Sequence, residues 1–153
     1  MLKQGTKAPA FTLEDLTGGK RSLSDILAGG PALLALYKVS CPVCQLTFPF
    51  LDRISKGSLQ VIGISQDDER DTKKFQKTYS PDLAMLLDRE RDGYPVSNAF
   101  GVANVPSIFL IEQDGTISMA WEGFAKSDME KAGKRAGTEP FGAGEKVPEW
   151  KAG

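Results

Sequence analysis

The sequence predicts a single α/β domain with a mixed central β-sheet and helices on both of its faces. Short apolar runs bounded by breakers alternate with amphipathic segments, which is typical of strands and helices in turn. The length of 153 residues suits one domain. The apolar share of 41% and the charged share of 25% match an average soluble protein. Strand–helix alternation favours a partly parallel sheet that is covered on both faces.

Five runs predict strands and four amphipathic segments predict helices. The last two strands should be antiparallel, because Asp114-Gly115 between them is a hairpin signal. The alternating carboxylates at 88, 90 and 92 are interpreted as a solvated loop, since arginines interleave them. The predicted strands are Ala32–Val39, Leu59–Ser65, Leu83–Asp88, Ser107–Glu112 and Ile117–Glu122, and the predicted helices are Pro42–Ser55, Glu69–Tyr79, Val96–Phe100 and Ser127–Arg135.

The composition divides the chain into a domain and a tail. We expect residues 1–136 to form the domain and the Gly- and Pro-rich residues 137–153 to form a C-terminal tail. A tail docked on the domain through Trp150 and a mobile tail are both compatible with the sequence.

Charge and composition exclude several classes of function. The net charge of −1 gives no reason to expect a nucleic-acid partner or an anionic membrane surface. The longest apolar run, residues 31–37, is too short to span a bilayer. The absence of histidine excludes a His general base and a His-ligated metal. The first residues lack a signal-peptide pattern, so we expect a cytoplasmic location, with a periplasmic or exported protein whose leader is absent from this sequence as the alternative.

The two cysteines form the motif Cys41-Pro42-Val43-Cys44, directly after a predicted strand and at the start of a predicted helix. There Cys41 lies near unpaired backbone N–H groups, whose partial positive charge favours the thiolate. A thiolate attacks disulfides, and Cys44, one helical turn later, can then attack the mixed disulfide. Pro42 suits the first helical turn, where its missing N–H is not needed. The motif therefore predicts a redox-active pair with no cofactor other than its own disulfide.

Three other interpretations of the cysteine pair remain open. In a zinc site, two thiolates without histidine would leave the four-ligand shell incomplete within one chain, so we expect no metal. A structural disulfide of this spacing would close a ring too small to constrain the unfolded chain much. A pair of buried, unreactive thiols is the third interpretation.

Motifs along residues 5–135 resemble those of thioredoxin-like proteins of the TlpA and alkyl-hydroperoxide-reductase/thiol-specific-antioxidant (AhpC/TSA) type. The cysteine motif is similar to the redox-active site of that family, and Pro49 is similar to the proline that kinks the helix after it. The other matching segments are Gly5-Thr6-Lys7-Ala8-Pro9-Ala10-Phe11, Leu86-Leu87-Asp88, Ala99-Phe100-Gly101-Val102, Val105-Pro106-Ser107, Phe109-Leu110-Ile111 and Asp114-Gly115.

The resemblance implies a thioredoxin fold with an N-terminal extension and an activity in thiol–disulfide exchange. It implies a cis peptide bond before Pro106 beside Cys41, with the backbone of Val105 pairing with an extended substrate. The implied partners are protein or small-molecule disulfides or dithiols and an upstream thiol electron donor or acceptor, and we expect a monomer. The candidate substrate-binding residues are Ser40, Pro42, Val43, Val105 and Pro106.

Three positions differ from the family pattern. Ser40 replaces the Trp that precedes the first cysteine of thioredoxins, and Ala35 replaces their buried Asp. Thr47 stands where TlpA-like proteins often have an acidic residue. Because both usual proton acceptors for the second thiol are missing, Thr47 and Lys38 become the candidate supporting residues. Lys38 would stabilise a thiolate, or alternatively is a surface cation at the end of a strand.

Two other functions stay open. Peroxiredoxins carry Pro-x-x-x-Thr/Ser-x-x-Cys, and here Leu34 and Lys38 replace the proline and the hydroxyl residue. A thiol peroxidase that uses Cys41 and Cys44 is the alternative enzyme. A redox-silent adaptor with the same fold is the alternative without an enzymatic activity.

Overall fold

A computed structural model describes all 153 residues and places seven strands in one sheet, with a two-stranded sheet beside it. The strands are β1 (Thr12–Asp15), β2 (Lys20–Ser22), β3 (Ala32–Tyr37), β4 (Gln60–Ser65), β5 (Ala84–Leu87), β6 (Ser107–Ile111), β7 (Ile117–Glu122), β8 (Phe124–Ala125) and β9 (Trp150–Lys151). The order in the large sheet is β2-β1-β5-β4-β3-β6-β7, and β8 pairs with β9.

Five α-helices join these strands: α1 (Leu23–Ala28), α2 (Pro42–Ile54), α3 (Glu69–Tyr79), α4 (Pro95–Ala99) and α5 (Lys126–Ala136). Side chains fix where several of them begin. Ser22 and Asp25 form a reciprocal capping box at the start of α1. The Asp68 carboxylate accepts the Asp71 N–H at 2.8 Å at the start of α3, so a backbone donor that lacks a helical partner is paired. None of the helices is long and apolar enough to cross a lipid bilayer.

The large sheet is mixed, as the sequence predicts. β3 pairs in parallel with β4 and antiparallel with β6, and β4 pairs in parallel with β5. β6 and β7 form the predicted antiparallel hairpin. All six residues of β3 are buried, because the strand lies in the middle of the sheet with helices over both faces.

Alternate residues of β3 supply two separate hydrophobic cores. Leu33, Ala35 and Tyr37 face the core that contains α2, α3 and α5. Leu34 and Leu36 face the second core, with α1 and α4. Because strand side chains alternate between the faces, a continuous apolar run can fill both cores at once.

An aromatic cluster fixes α2 over the sheet. The ring of Tyr37 lies 4.2 Å from that of Phe48 and 4.6 Å from that of Phe75, between centroids. Gly63 on β4 leaves room for this cluster, since a Cβ there would lie 2.5 Å from the Met85 sulfur and 3.1 Å from Phe48. The cluster therefore sets the position of the helix that begins at the cysteine motif.

The predicted elements are all present, with ends that move by one or two residues; the hairpin strand Ile117–Glu122 and the helix Glu69–Tyr79 keep their predicted bounds. The N-terminal extension consists of the hairpin β1–β2 and the helix α1. β1 joins the large sheet by antiparallel pairing with β5. The strands of this extension are only three and four residues long and mostly polar, so their sequence carries little signal.

The interpretation of Asp88 as part of a solvated loop is wrong. Asp88 is fully buried, and its carboxylate accepts the backbone N–H groups of Val96 and Ser97 at 2.9 and 2.8 Å. The Ser97 hydroxyl donates to it as well, at 2.6 Å. Asp88 is therefore the acceptor for N-terminal N–H groups of α4. It lies eight and nine residues before them in the sequence, which is farther than a local helix cap reaches.

Residues 137–153 lie against the domain. Arg53 on α2 donates to the carbonyl of Pro140 at 2.8 Å and forms an ion pair with Glu145 at 2.7 Å. The ring of Phe141 lies 4.9 Å from that of Phe50, between centroids. The indole of Trp150 is 60% exposed, so the segment is anchored by these contacts and by backbone pairing rather than by burial of Trp150.

Candidate active site

Two side chains hold the turn between β3 and α2 through hydrogen bonds to the backbone of Val39. The Asp67 carboxylate accepts the Val39 N–H at 2.8 Å, and the Gln45 amide donates to the Val39 carbonyl at 2.9 Å. The Cys41 N–H donates to the Lys38 carbonyl at 3.2 Å, which closes the turn. Both backbone groups of Val39 are thus paired, although the strand ladder has ended before it.

Cys41 is the N-cap residue of α2. Its Sγ accepts the Cys44 N–H at 3.1 Å and lies 3.6 Å from the carbonyl oxygen of Val105. Pro42 occupies the first helical position, where no N–H is required. Cys41 is partly exposed, so its sulfur lies at the surface with a helix N-terminus behind it.

Cys44 lies one turn later and is fully buried. Burial raises the pKa of the Cys44 thiol well above its usual range, and its hydrogen bond with the Cys41 sulfur acts in the same direction. The backbone N–H of Lys38 opposes this shift, while the nearby negative charge of Asp67 adds to it. The two cysteines, both free thiols in the structure, therefore have sharply different surroundings.

Pro106 directly precedes β6, on the other side of Cys41. The Val105–Pro106 peptide bond is cis, as the family resemblance implies. Polar groups next to this bond have hydrogen-bond partners. The Pro106 carbonyl accepts the Gly123 N–H at 2.8 Å, and the Ser107 hydroxyl donates to the Asn104 carbonyl at 2.6 Å.

A cavity of about 460 Å³ opens beside Cys41. Gln66 in its wall donates to the Ser97 hydroxyl at 2.8 Å, which in turn donates to the buried Asp88. Tyr94 has a backbone φ of 49°, which is uncommon for a bulky side chain. The cavity is lined by Lys38, Cys41, Pro42, Gln66, Tyr94, Ser97, Asn98, Val102, Ala103, Asn104, Val105 and Gly153.

The structure brings some of the predicted site residues together and separates others. Lys38, Cys41, Pro42 and Val105 share the cavity, and buried Pro106 directly follows Val105. The other four predicted residues, Ser40, Val43, Cys44 and Thr47, are not among those that line it.

Thr47 does not contact either thiol through a hydrogen bond. Its hydroxyl donates to the Val43 carbonyl one turn earlier, at 2.7 Å, and its side chain is buried. A threonine inside a helix commonly bonds to this carbonyl. The structure therefore gives no contact by which Thr47 would support Cys44.

The residues that hold the site from other elements were not predicted from the sequence. Asp67, Gln66 and Ser97 lie far from the cysteine motif in sequence, and Gln45 lies inside a helix with no distinguishing pattern. The only available signal was the acidic run that starts at Asp67, which is a helix-start pattern. Asp68 caps α3, while Asp67 before it turns toward Val39. No group of three or more Cys, Asp or Glu side chains is arranged to hold a metal ion.

Comparison with known proteins places this site in a family. The model of the AhpC/TSA family matches residues 4–120. The thiol:disulfide interchange protein DsbE of Vibrio cholerae is 32% identical over 116 residues, which cover 74% of this chain and 61% of the relative. The thiol-disulfide oxidoreductase ResA of Geobacillus kaustophilus is 26% identical over 133 residues, covering 83% of this chain and 74% of the relative. The chain thus spans less than two thirds of the length of the Vibrio protein.

A solved structure shows the same fold. The thioredoxin domain of a thiol-disulfide oxidoreductase from Bacteroides vulgatus superimposes with a TM-score of 0.77 at 24% identity, over 88% of this chain and 98% of that domain. The match of the family model covers most of the chain and includes the cysteine motif and the Val105–Pro106 bond. The chain therefore belongs to the AhpC/TSA family, as a redoxin with the thioredoxin fold.

Proposed function

We propose that this protein is a thiol–disulfide oxidoreductase in which Cys41 is the nucleophile and Cys44 the resolving thiol. One observation carries the proposal: the partly exposed Cys41 sulfur caps a helix N-terminus and accepts the Cys44 N–H, next to the buried Cys44 thiol. The relatives named thiol-disulfide oxidoreductase and thiol:disulfide interchange protein support the same reaction class.

The exchange has two steps. The Cys41 thiolate attacks a substrate disulfide, which forms a mixed disulfide and releases one substrate sulfur as a thiolate. Cys44 then loses its proton and attacks the Cys41 sulfur, which forms the Cys41–Cys44 disulfide and releases the second substrate thiol. The substrate gains two electrons and the enzyme pair loses them. The reverse sequence oxidises a substrate dithiol, and an upstream thiol donor or acceptor regenerates the enzyme.

The environments of the two sulfurs suit these roles. A helix N-terminus and a donated N–H stabilise negative charge on Cys41, and thiolate is the attacking species. Cys44 is fully buried and its thiol is hydrogen-bonded to the Cys41 sulfur, so it would reach a disulfide formed on Cys41 but not one in solvent. Lys38 is exposed on the cavity wall and is the remaining candidate to stabilise charge near the substrate.

Polypeptide substrates would bind along the backbone of Val105. Its carbonyl lies 3.6 Å from the Cys41 sulfur, so an extended chain paired there would bring its own disulfide to the nucleophile. Pro42 on the same cavity would contact the substrate from the opposite side. No cofactor is needed besides the cysteine pair, and we retain the monomer as the proposed state.

The test is a trapping experiment with two single-cysteine variants. Reduced Cys44→Ser protein mixed with a disulfide substrate should accumulate a mixed disulfide on Cys41, seen by mass under non-reducing conditions, because the resolving step is blocked. Reduced Cys41→Ser should form none while folded, because Cys44 is buried. Equal trapping by both variants would contradict the assigned roles.

Further reactions of the protein and these variants distinguish disulfide exchange from the two alternative functions. A thiol peroxidase would consume hydrogen peroxide in a single turnover faster than it reacts with a disulfide. The hydroxyl position of the peroxiredoxin pattern is occupied by Lys38, which lines the cavity, and the proline position by Leu34, which is in the core. A redox-silent adaptor would show neither reaction.

A further inference from the structure

The segment Trp150–Gly153 crosses the edge where a polypeptide substrate would bind. β9 pairs antiparallel with β8, with Lys151 opposite Phe124 and Trp150 opposite Ala125. The Lys126 N–H donates to the Glu149 carbonyl at 3.0 Å, and the Trp150 indole N–H donates to the Glu122 carbonyl at 3.4 Å. The segment is thus an added strand held mainly by backbone contacts.

Gly153 reaches the carbonyl of Val105. A Cβ at position 153 would lie 1.7 Å from that carbonyl oxygen and 3.1 Å from the Pro106 Cδ, so only glycine fits this approach. The same oxygen is the one 3.6 Å from the Cys41 sulfur. Gly153 also lines the cavity that contains Cys41 and Pro42. The chain therefore places its own backbone against the group that an extended substrate would need.

Two features indicate that the segment Trp150–Gly153 can leave the Val105 carbonyl. The β8–β9 ladder is only two residues long, and Trp150 remains 60% exposed, so little apolar surface holds the strand in place. The segment is nevertheless tethered through Arg53, which contacts Pro140 and Glu145. A tether gives a weakly bound segment a high effective concentration at its site.

We infer that Trp150–Gly153 is an intramolecular competitor of polypeptide substrates and determines which class of disulfide reaches Cys41. This inference rests on the proposed function. An extended protein segment must displace Gly153 from Val105 before it can pair there. A small disulfide needs only the cavity of about 460 Å³ beside Cys41, which stays open while the segment is bound.

The test compares two substrates across matched variants of the full chain. The variants are a deletion of residues 150–153, Gly153→Ala, and Gly142→Ala as the control. The control adds the same methyl group to the same tail, where its Cβ would lie 3.8 Å from the nearest atom, on Glu145. Reduced protein reacts in single turnover with insulin, a protein disulfide, and with hydroxyethyl disulfide, a small uncharged one.

The deletion should raise the rate with insulin by roughly tenfold, as expected when a tethered competitor at high effective concentration is removed. Gly153→Ala should raise it in the same direction, while Gly142→Ala and every rate with hydroxyethyl disulfide stay at the wild-type value. Equal changes with both substrates, or no change with insulin, would overturn the inference although exchange itself is intact. Absence of reaction with both substrates in every variant would overturn the proposed function and, with it, this inference.

Discussion

The turn before Cys41 should depend on the Asp67 carboxylate, and two substitutions separate its hydrogen bond from its charge. In Asp67→Ala the partly buried Val39 N–H loses its acceptor, which costs about 1–3 kcal/mol in the free energy of unfolding. Asp67→Asn keeps an acceptor oxygen. Since a hydrogen bond to a charged group is stronger than a neutral one by about 1 kcal/mol, the Asn variant should lose about that amount or less.

Both substitutions remove the negative charge that helps to raise the pKa of Cys44, so both should lower that pKa. Stability is measured by urea unfolding of the reduced protein. Because Cys44 is buried from external reagents, its pKa is followed by the rate, at a fixed pH, at which Cys44 releases a small thiol from a mixed disulfide preformed on Cys41; this rate rises as the pKa of Cys44 falls. The expected pattern is a large loss of stability in the Ala variant alone, with a lowered pKa in both. Equal losses of stability in both variants would refute the hydrogen-bond explanation, and an unchanged pKa in both would refute the electrostatic one.

Three further predictions concern the cysteines, the tail and a buried carboxylate. Iodoacetamide should label Cys41 and spare Cys44 in the folded, reduced protein, as measured by peptide mass, because Cys44 is buried; labelling of both at equal rates would contradict this. The Arg53 side chain lowers the pKa of Glu145 to about 2, so its stabilising effect is present above the ordinary glutamate pKa of about 4.3 and is lost as the pH falls through 2. In urea unfolding, the stability difference between wild type and Glu145→Gln should therefore shrink from pH 4.3 to 2, whereas a constant difference would contradict the ion pair. Asp88→Ala should reduce the free energy of unfolding by about 2–6 kcal/mol, because it leaves two buried N–H groups of α4 unpaired at about 1–3 kcal/mol each; a loss near zero would show that other groups pair them.

The central part of the fold could be predicted because its local and tertiary signals agree. β3 is a continuous apolar run, and all six of its residues are buried. The helix after it begins at Pro42, as predicted, and Asp114-Gly115 forms the turn of the antiparallel hairpin. The cysteine motif could be predicted for the same reason, since its two cysteines and the helix that carries them are contiguous in the sequence.

The parts that could not be predicted depend on contacts between distant segments. Asp88 lies in a run of alternating charges, and only the position of α4 makes it a buried acceptor. Asp67 resembles a helix-start residue and instead binds Val39. Gly153 carries no local pattern, and its approach to Val105 is defined by the path of the whole tail. Side-chain chemistry alone does not reveal such partners, because backbone groups supply the other half of each contact.

The most direct test of the proposed mechanism is a redox titration of the Cys41–Cys44 pair against glutathione or dithiothreitol buffers, with both thiols quantified by alkylation and mass. We predict a single two-electron transition in which the two cysteines are oxidised together to one intramolecular disulfide. A midpoint near thioredoxin's value of about −270 mV would assign a reductase, and one near about −120 mV an oxidant. A pair that shows no transition, with both thiols unreactive in the folded protein, would contradict the exchange mechanism.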